Sequence, residues 1–203
     1  MTDDCNPTKP IRKEIILQEA ARLFRQKGYM AATLRELADR SGIKGGSIYH
    51  HFSSKQEILH KIMAFTLTNL FAVEEETAGE QNPVEKIRKA IRFHIEYHIN
   101  NLDETLVADT ELRSLTPENY REIIDMRRRY ENFFIDMLRE GAEQKIINIA
   151  DVKLAAFAIL QMCTGVSYWF KQDGPLSVQE IADSYADLIC WGIMGKETSE
   201  TFA

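Results

Sequence analysis

Ser47, Tyr49, His50 and His51 follow the glycine pair Gly45-Gly46 within one short stretch. Hydroxyl, phenol and imidazole groups suit phosphate oxygens and base edges as hydrogen-bond partners. The chain has no nucleophile motif, phosphate loop or positioned acid pair, so this stretch speaks for binding and against catalysis, and no enzyme activity is expected. A second pool comprises Phe65, Phe93, His94, Tyr97, His98, Tyr130, Phe133, Phe134, Met137, Met162 and Trp169. Aromatic rings, thioethers and a few polar donors are the chemistry of an apolar ligand pocket; each member singly is ordinary core, and only the collective excess points to a pocket. His94 and His98 are four apart and could share a metal ion. With no fixed third ligand they read as core histidines or ligand donors, and no metal or other cofactor is expected.

The elements that position the first set begin at Thr33. Thr33 with Glu36 has the form of a capping box, so a helix starts at Leu34, with Leu34, Leu37 and Ala38 as its apolar stripe. Gly42 is the residue suited to end it. The run from Gly45 to Phe52 has room for about two helical turns, with Ile48 and Phe52 inward and Ser47, Tyr49, His50 and His51 outward. Ser54 with Glu57 caps the next helix and places Lys55 in its first turn. Helix, glycine turn and short outward-facing helix together fit a helix-turn-helix, whose second helix lies in the DNA major groove.

Upstream, a helix between Pro10 and Lys27 presents Ile16, Ala20, Leu23 and Phe24 inward and ends at Gly28. Downstream, the helix from Lys55 runs to about Glu74, and a polar break reaches Asn82-Pro83, which opens a helix buried over most of its circumference. Thr116-Pro117 opens a long helix, Asn148 or Asp151 the next, and Ser177 with Glu180 the last, which ends near Gly195. No alternating strand pattern occurs. The expected fold is all-α with about nine helices: an N-terminal three-helix helix-turn-helix domain over residues 1–54 and a larger C-terminal helical bundle for ligand binding and dimerisation over 55–203.

Residues 33–55 resemble the DNA-binding domain of the TetR (tetracycline repressor) family through Thr33, Arg35, Ala38, Gly42, Tyr49, Phe52, Ser54 and Lys55, and residues 20–38 match as well. The resemblance implies phosphate contacts from Thr33, Tyr49 and Lys55, with Arg35, Lys44, Gly45, Ser47, His50 and His51 completing the DNA-facing set. The family often has serine where this chain has Lys44, which removes a capping side chain from the second helix. The stretch ELRSL, Tyr120, Arg127, Tyr130, Gly141 and the run from Tyr168 to Leu188 resemble a branch that responds to acyl-coenzyme A thioesters. In that reading Arg113, Arg127, Arg128 or Arg129 would meet the coenzyme A phosphates; the alternative for Arg127 to Arg129 is a solvated face paired with Asp125 and Glu131.

The formal charge of −6 divides unevenly along the 203 residues. Residues 1–60 hold ten Lys or Arg against seven Asp or Glu, a net of +3, while the remainder holds fifteen against twenty-four, a net of −9. Phosphate affinity follows the local patch, and an acidic body would stay off the DNA. Cys5, Cys163 and Cys190 form neither a zinc pair nor a disulfide framework, and the N-terminus lacks a signal-peptide pattern, so cytoplasmic residence is expected. The uncharged run from Leu154 to Phe170 is too polar for a membrane span and reads as a buried helix; no membrane partner is expected.

Phe157, Leu160, Ile181, Tyr185, Leu188, Ile189 and Trp191 on the last two helices exceed what one small subunit needs to bury. By resemblance these helices pair with their copies as a four-helix bundle, giving a homodimer on double-stranded palindromic operator DNA. The functional expectation is a ligand-responsive transcriptional repressor released by a small apolar effector such as an acyl-CoA. The rivals are an all-α acyl-CoA or lipid-binding protein or enzyme, and a regulator of drug-like cations in which Glu96, Asp109 or Glu111 would face the pocket.

Overall fold

The structure, a computed structural model, describes residues 12–194. Cys5, Pro10 and the expected helix end at Gly195 lie outside them. The described residues form helices α1 (Arg12–Lys27), α2 (Leu34–Arg40), α3 (Lys55–Leu70), α4 (Val73–Glu76), α5 (Pro83–Asn100), α6 (Leu102–Thr110), α7 (Pro117–Glu143), α8 (Val152–Trp169) and α9 (Val178–Met194), with 3₁₀ helices at Gly45–His50 and Leu112–Ser114. The fold is all-α.

The described residues divide into two compact units: one holds those up to Phe65 together with Asp103–Ile123, the other Thr66–Leu102 and those from Ile124 on. The first is built on the buried stripe Ile16, Ala20, Leu23 and Phe24 of α1; α1 packs on α2, which buries Leu37 and Ala38, and α2 packs on the 3₁₀ helix at Gly45–His50, where Ile48 and the following Phe52 are buried. Gly28 takes a left-handed φ of 80°, closing α1 through its N–H to the Phe24 carbonyl at 2.8 Å. Gly42, at φ 66°, does the same after α2, and the Ile43 N–H reaches back to the Ala38 carbonyl at 3.0 Å.

Three local expectations are refined. Thr33 caps α2 by accepting from the Glu36 N–H at 3.2 Å. The Glu36 carboxylate does not complete the box; it pairs with Lys27 at 2.7 Å and Arg40 at 3.3 Å, and the Lys27 hydrogen bond holds its pKa down. Ser54 caps α3 through the Glu57 N–H at 3.0 Å, while the Glu57 carboxylate takes the N–H and hydroxyl of Ser53, both at 2.7 Å. The outward-facing second helix is a 3₁₀ helix, because Lys44 supplies no side-chain cap and two glycines weaken the first turn.

This unit also takes in residues 103–123, which are tied to α1 and α3. Arg25 pairs with Asp103 at 2.7 Å, and His60 faces Glu122 at 3.1 Å.

The second unit is organised on α5. Val84, Ile87, Ala90, Ile91, His94, Ile95, His98 and Ile99 are all buried on it. α8 packs against α5 with Ala156, Ile159, Cys163, Val166 and Ser167; α9 does so with Ile181, Ala182, Ala186, Ile189 and Cys190. Arg88 with Asp187 and Arg92 with Asp183 pair along the α5–α9 seam. Burial pushes the Cys163 thiol up to about 12 and the Cys190 thiol to about 11, so both are inert as thiolates near neutral pH. Gly141 permits a close approach: a Cβ there would lie 3.0 Å from Ile147 and 3.1 Å from Pro83.

Candidate DNA interface and ligand cavity

In the first unit Thr33, Arg35, Lys44, Gly45, Tyr49 and His50 are exposed, Tyr49 at 61% of its surface, and Ser47 and His51 are half-buried. Ile48 at 0% and Phe52 at 2% exposure anchor the segment, so the groups around them turn outward together. Arg35 and Lys44 make no ion pair among the described residues, and their charges face water. Polar, aromatic and cationic groups on one exposed patch can hold a polyanion through phosphate contacts and read base edges with the remainder.

Lys55 is placed differently from its expected phosphate contact. Its ammonium donates to the carbonyls of Tyr29 at 2.7 Å, Ala32 at 2.8 Å and Met30 at 3.3 Å, and lies 4.4 Å from the centroid of the Tyr29 ring. An ammonium has three donors, and all three are engaged within the protein. Burial lowers its pKa, and Glu111 acts in the opposite direction.

In the second unit a cleft of about 550 Å³ is lined by Thr68, Asn69, Phe71, Ala72, Glu75, Phe93 and Tyr97. Phe93 and Tyr97 stack at 6.3 Å one turn apart on α5. Arg129 lies 4.3 Å from the Phe71 ring and pairs with Glu74 at 3.4 Å, which sets a cation beside the aromatic wall. Arg127 is half-buried, and Arg128 pairs with Asp125 at 3.3 Å on an exposed face.

Of the expected pocket residues, only Phe93 and Tyr97 line this cleft. His94, Tyr130, Phe134 and Met137 are packed with His98 in the core behind it. The two ring nitrogens of His94 lie 3.0 Å from the Tyr130 hydroxyl and 3.0 Å from the Thr164 hydroxyl, so both are occupied by hydrogen bonds. The His94 ring is 4.1 Å from that of His98, and burial, followed by that neighbour, pushes its pKa well below the usual value. A neutral imidazole bridging two hydroxyls orders the core and leaves no nitrogen free for a metal. Phe65 is exposed and belongs to the first unit; Met162 and Trp169 are exposed on α8. None of these three lines the cleft. Glu111, a candidate acid for a cationic ligand, lies in the first unit and accepts from the Tyr29 N–H at 2.9 Å.

The chain matches two family models. Residues 80–193 match "Tetracyclin repressor-like, C-terminal domain", and residues 16–62 match "Bacterial regulatory proteins, tetR family". The protein belongs to the TetR family. It is 29% identical over 189 residues to the HTH-type transcriptional repressor KstR2 of Mycobacterium tuberculosis, covering 90% of this chain and 92% of that one. Among solved structures it resembles the TetR regulator PfmR of Thermus thermophilus, with a TM-score of 0.81 and 38% identity over 86% of this chain and 96% of that one. It also resembles AibR in a crystal structure with isovaleryl coenzyme A and operator DNA, with a TM-score of 0.78 and 29% identity over 88% of this chain and 97% of that one. TetR-family proteins are DNA-binding regulators, not enzymes, and this one is of that kind.

On this TetR-family chain α8 has the length and apolar composition of a membrane-crossing helix. The expectation that it is buried is corrected: Leu154, Phe157, Met162, Tyr168 and Trp169 are exposed on it. One face meets α5, and on the other these five side chains stay exposed among the described residues, with Trp169 stacked on Tyr185 at 6.4 Å. On α9, Leu188 and Trp191 are exposed at 64% and 72%, Tyr185 is half-buried, and Ile181 and Ile189 are buried. The last two lie on the face of α9 that packs on α5. Leu160 is half-buried.

Sequence reasoning missed Phe71, Glu75 and Thr164. Phe71 follows the apolar run of α3 directly and could have been drawn from that pattern. Thr164 has no local signal, since only the fold brings it to His94.

Proposed function

We propose that this TetR-family protein is a cytoplasmic, homodimeric repressor that leaves a palindromic operator when a small apolar effector, most simply an acyl-coenzyme A thioester, binds its helical bundle. The observation that carries this reading is the aromatic cleft with Arg129 beside it, in a chain that also carries an exposed reading patch. Phe71, Phe93 and Tyr97 suit an acyl chain; Arg129 supplies a cation for phosphates. The similarity to AibR, solved with isovaleryl coenzyme A and operator DNA, and to the repressor KstR2 supports the same reading.

Thr33, Arg35, Lys44, Gly45, Ser47, Tyr49, His50 and His51 form the DNA-facing set. The exposed apolar faces of α8 and α9, with Phe157, Leu160, Tyr185, Leu188 and Trp191, pair with their copies so that two reading patches meet two half-sites. The effector must bind the DNA-free conformation more tightly than the DNA-bound one, since equal affinity shifts nothing. Glu75 on the cleft favours a second reading, an effector that is a drug-like cation.

One experiment decides among these. A duplex is selected from a random library by the wild-type protein, and acyl-coenzyme A esters of different chain length and a lipophilic quaternary amine are screened by thermal shift beside DNA release. An acyl-coenzyme A that stabilises the free protein and releases the duplex is the expected outcome. Release by the amine alone selects the second reading, and stabilisation without release refutes the coupling. Tyr49→Ala is expected to weaken the duplex by about tenfold and flatten its salt dependence; an unchanged affinity removes Tyr49 from the interface.

A further inference from the structure

Tyr29 sits at the corner between α1 and α2, and each of its polar groups is taken. Its N–H donates to Glu111 at 2.9 Å, its carbonyl accepts from Lys55 at 2.7 Å, and its hydroxyl accepts from the Gln56 amide at 3.0 Å. The ring is 7% exposed, packs edge-on against Phe24 at 5.3 Å and carries the Lys55 ammonium on its face. Gln56 continues outward: its amide nitrogen also donates to the Ser114 carbonyl at 2.9 Å, and its oxygen accepts from the Thr116 N–H at 2.7 Å. Glu111 is tied down in turn by the Ser114 hydroxyl at 2.7 Å.

The corner precedes Thr33, the cap of α2, by only a few residues, and Lys55 binds the carbonyls of Met30 and Ala32 on the way to it. A shift at this corner would change where α2 begins and where the segment packed on it presents Tyr49. The side-chain polar atoms of Lys55, Gln56 and Glu111 are all engaged by partners within the protein.

We propose that Lys55, Gln56 and Glu111 are positioning residues for the DNA-reading patch, acting through Tyr29, and that Lys55 serves DNA binding without touching a phosphate. The inference rests on the reading of this unit as the DNA-binding head. It assigns an acidic residue, 82 positions away from the tyrosine it holds, to the competence of a surface that binds a polyanion.

The electrostatic and positioning roles differ in sign and in salt dependence. A phosphate-bound lysine contributes about one unit to the slope of log affinity against log salt, whereas a positioning lysine contributes none. Removing an acid that acts only by its charge strengthens binding to DNA; removing one that holds the corner weakens it. The test uses the full chain and the duplex selected above, titrated by fluorescence anisotropy from about 50 to 200 mM KCl. Lys55→Met is expected to bind at least about tenfold more weakly with the wild-type slope, whereas Arg35→Ala lowers the slope by about one. Glu111→Ala and Gln56→Ala are expected to weaken binding, and Glu111→Gln, which keeps an acceptor for the Tyr29 N–H, to restore most of it. A slope reduced by about one in Lys55→Met, or unweakened binding by Glu111→Ala, overturns the proposal.

Hydrogen exchange of peptides covering residues 29–36 and 45–52, in the absence of DNA, provides a second measurement. Exchange there is expected to accelerate in Glu111→Ala and Gln56→Ala while peptides from α5 keep their protection. Unchanged exchange overturns the clamp even where the wild-type protein selects no duplex, an outcome that would instead refute the DNA-binding reading. Loss of protection throughout the chain would show a general fold element and overturn it too.

Discussion

His94 shows how a single residue can be read as a ligand contact and turn out to be part of the core. Its side chain is 3% exposed, bridges Tyr130 and Thr164, and is kept neutral by burial. The folded state therefore binds the His94 proton more weakly than the unfolded chain, whose imidazole titrates near 6.5. Where the unfolded state holds more protons, stability rises with pH. The contribution of His94 is complete above about 6.5 and is lost progressively as pH falls below it. Urea denaturation of wild type and His94→Gln between about pH 7.5 and 5.5 is expected to show the wild type losing more stability on acidification; parallel loss in the two would exclude His94 as the source. The spacing of His94 and His98 was legible in the sequence. Their partners were not, because Tyr130 and Thr164 are 36 and 70 residues away.

At the scale of elements, the capping residues Thr33, Asn82 and Ser177 marked three helix starts, since each side chain satisfies a backbone N–H within a few residues. Where the glutamate of a box had a choice of partners, tertiary structure chose: Glu36 goes to Lys27 and Arg40, whereas Glu180 returns to the Ser177 N–H at 2.8 Å. The end of α7 turns on Gly141, whose missing side chain lets Ile147 and Pro83 close in. Gly141→Ala would place a methyl group inside that contact and is expected to cost about 1 to 3 kcal/mol, despite the better helix propensity of alanine. Equilibrium urea unfolding reads this directly; a more stable variant would show that Ile147 can move aside. The 3₁₀ geometry of Gly45–His50 was less legible, because six residues with a glycine pair leave the choice of helix type to packing around Ile48.

For the whole molecule, the exposed apolar faces of α8 and α9 predict association. Leu154, Phe157, Trp169, Leu188 and Trp191 are all exposed on these two helices, and exposed apolar groups gathered on neighbouring elements mark association surfaces. Sedimentation is expected to give a dimer for the wild type and a folded monomer for Leu188→Glu with Trp191→Glu. A dimer in that variant would place the interface elsewhere. The same monomer should bind the selected duplex far more weakly, since one reading patch spans a single half-site.

By itself, the sequence determined the helical class and the main helix starts, because caps, glycine turns and apolar spacing act over a few residues. It also placed the charge, with a net of +3 over the first sixty residues and −9 over the remainder. Only the tertiary structure decided which aromatic groups line a cleft and which fill the core, which faces of α8 and α9 stay exposed, and that Lys55 is bound to three carbonyls. These outcomes depend on neighbours far along the chain, and a period of 3.6 residues shows that a face is apolar without showing what it meets.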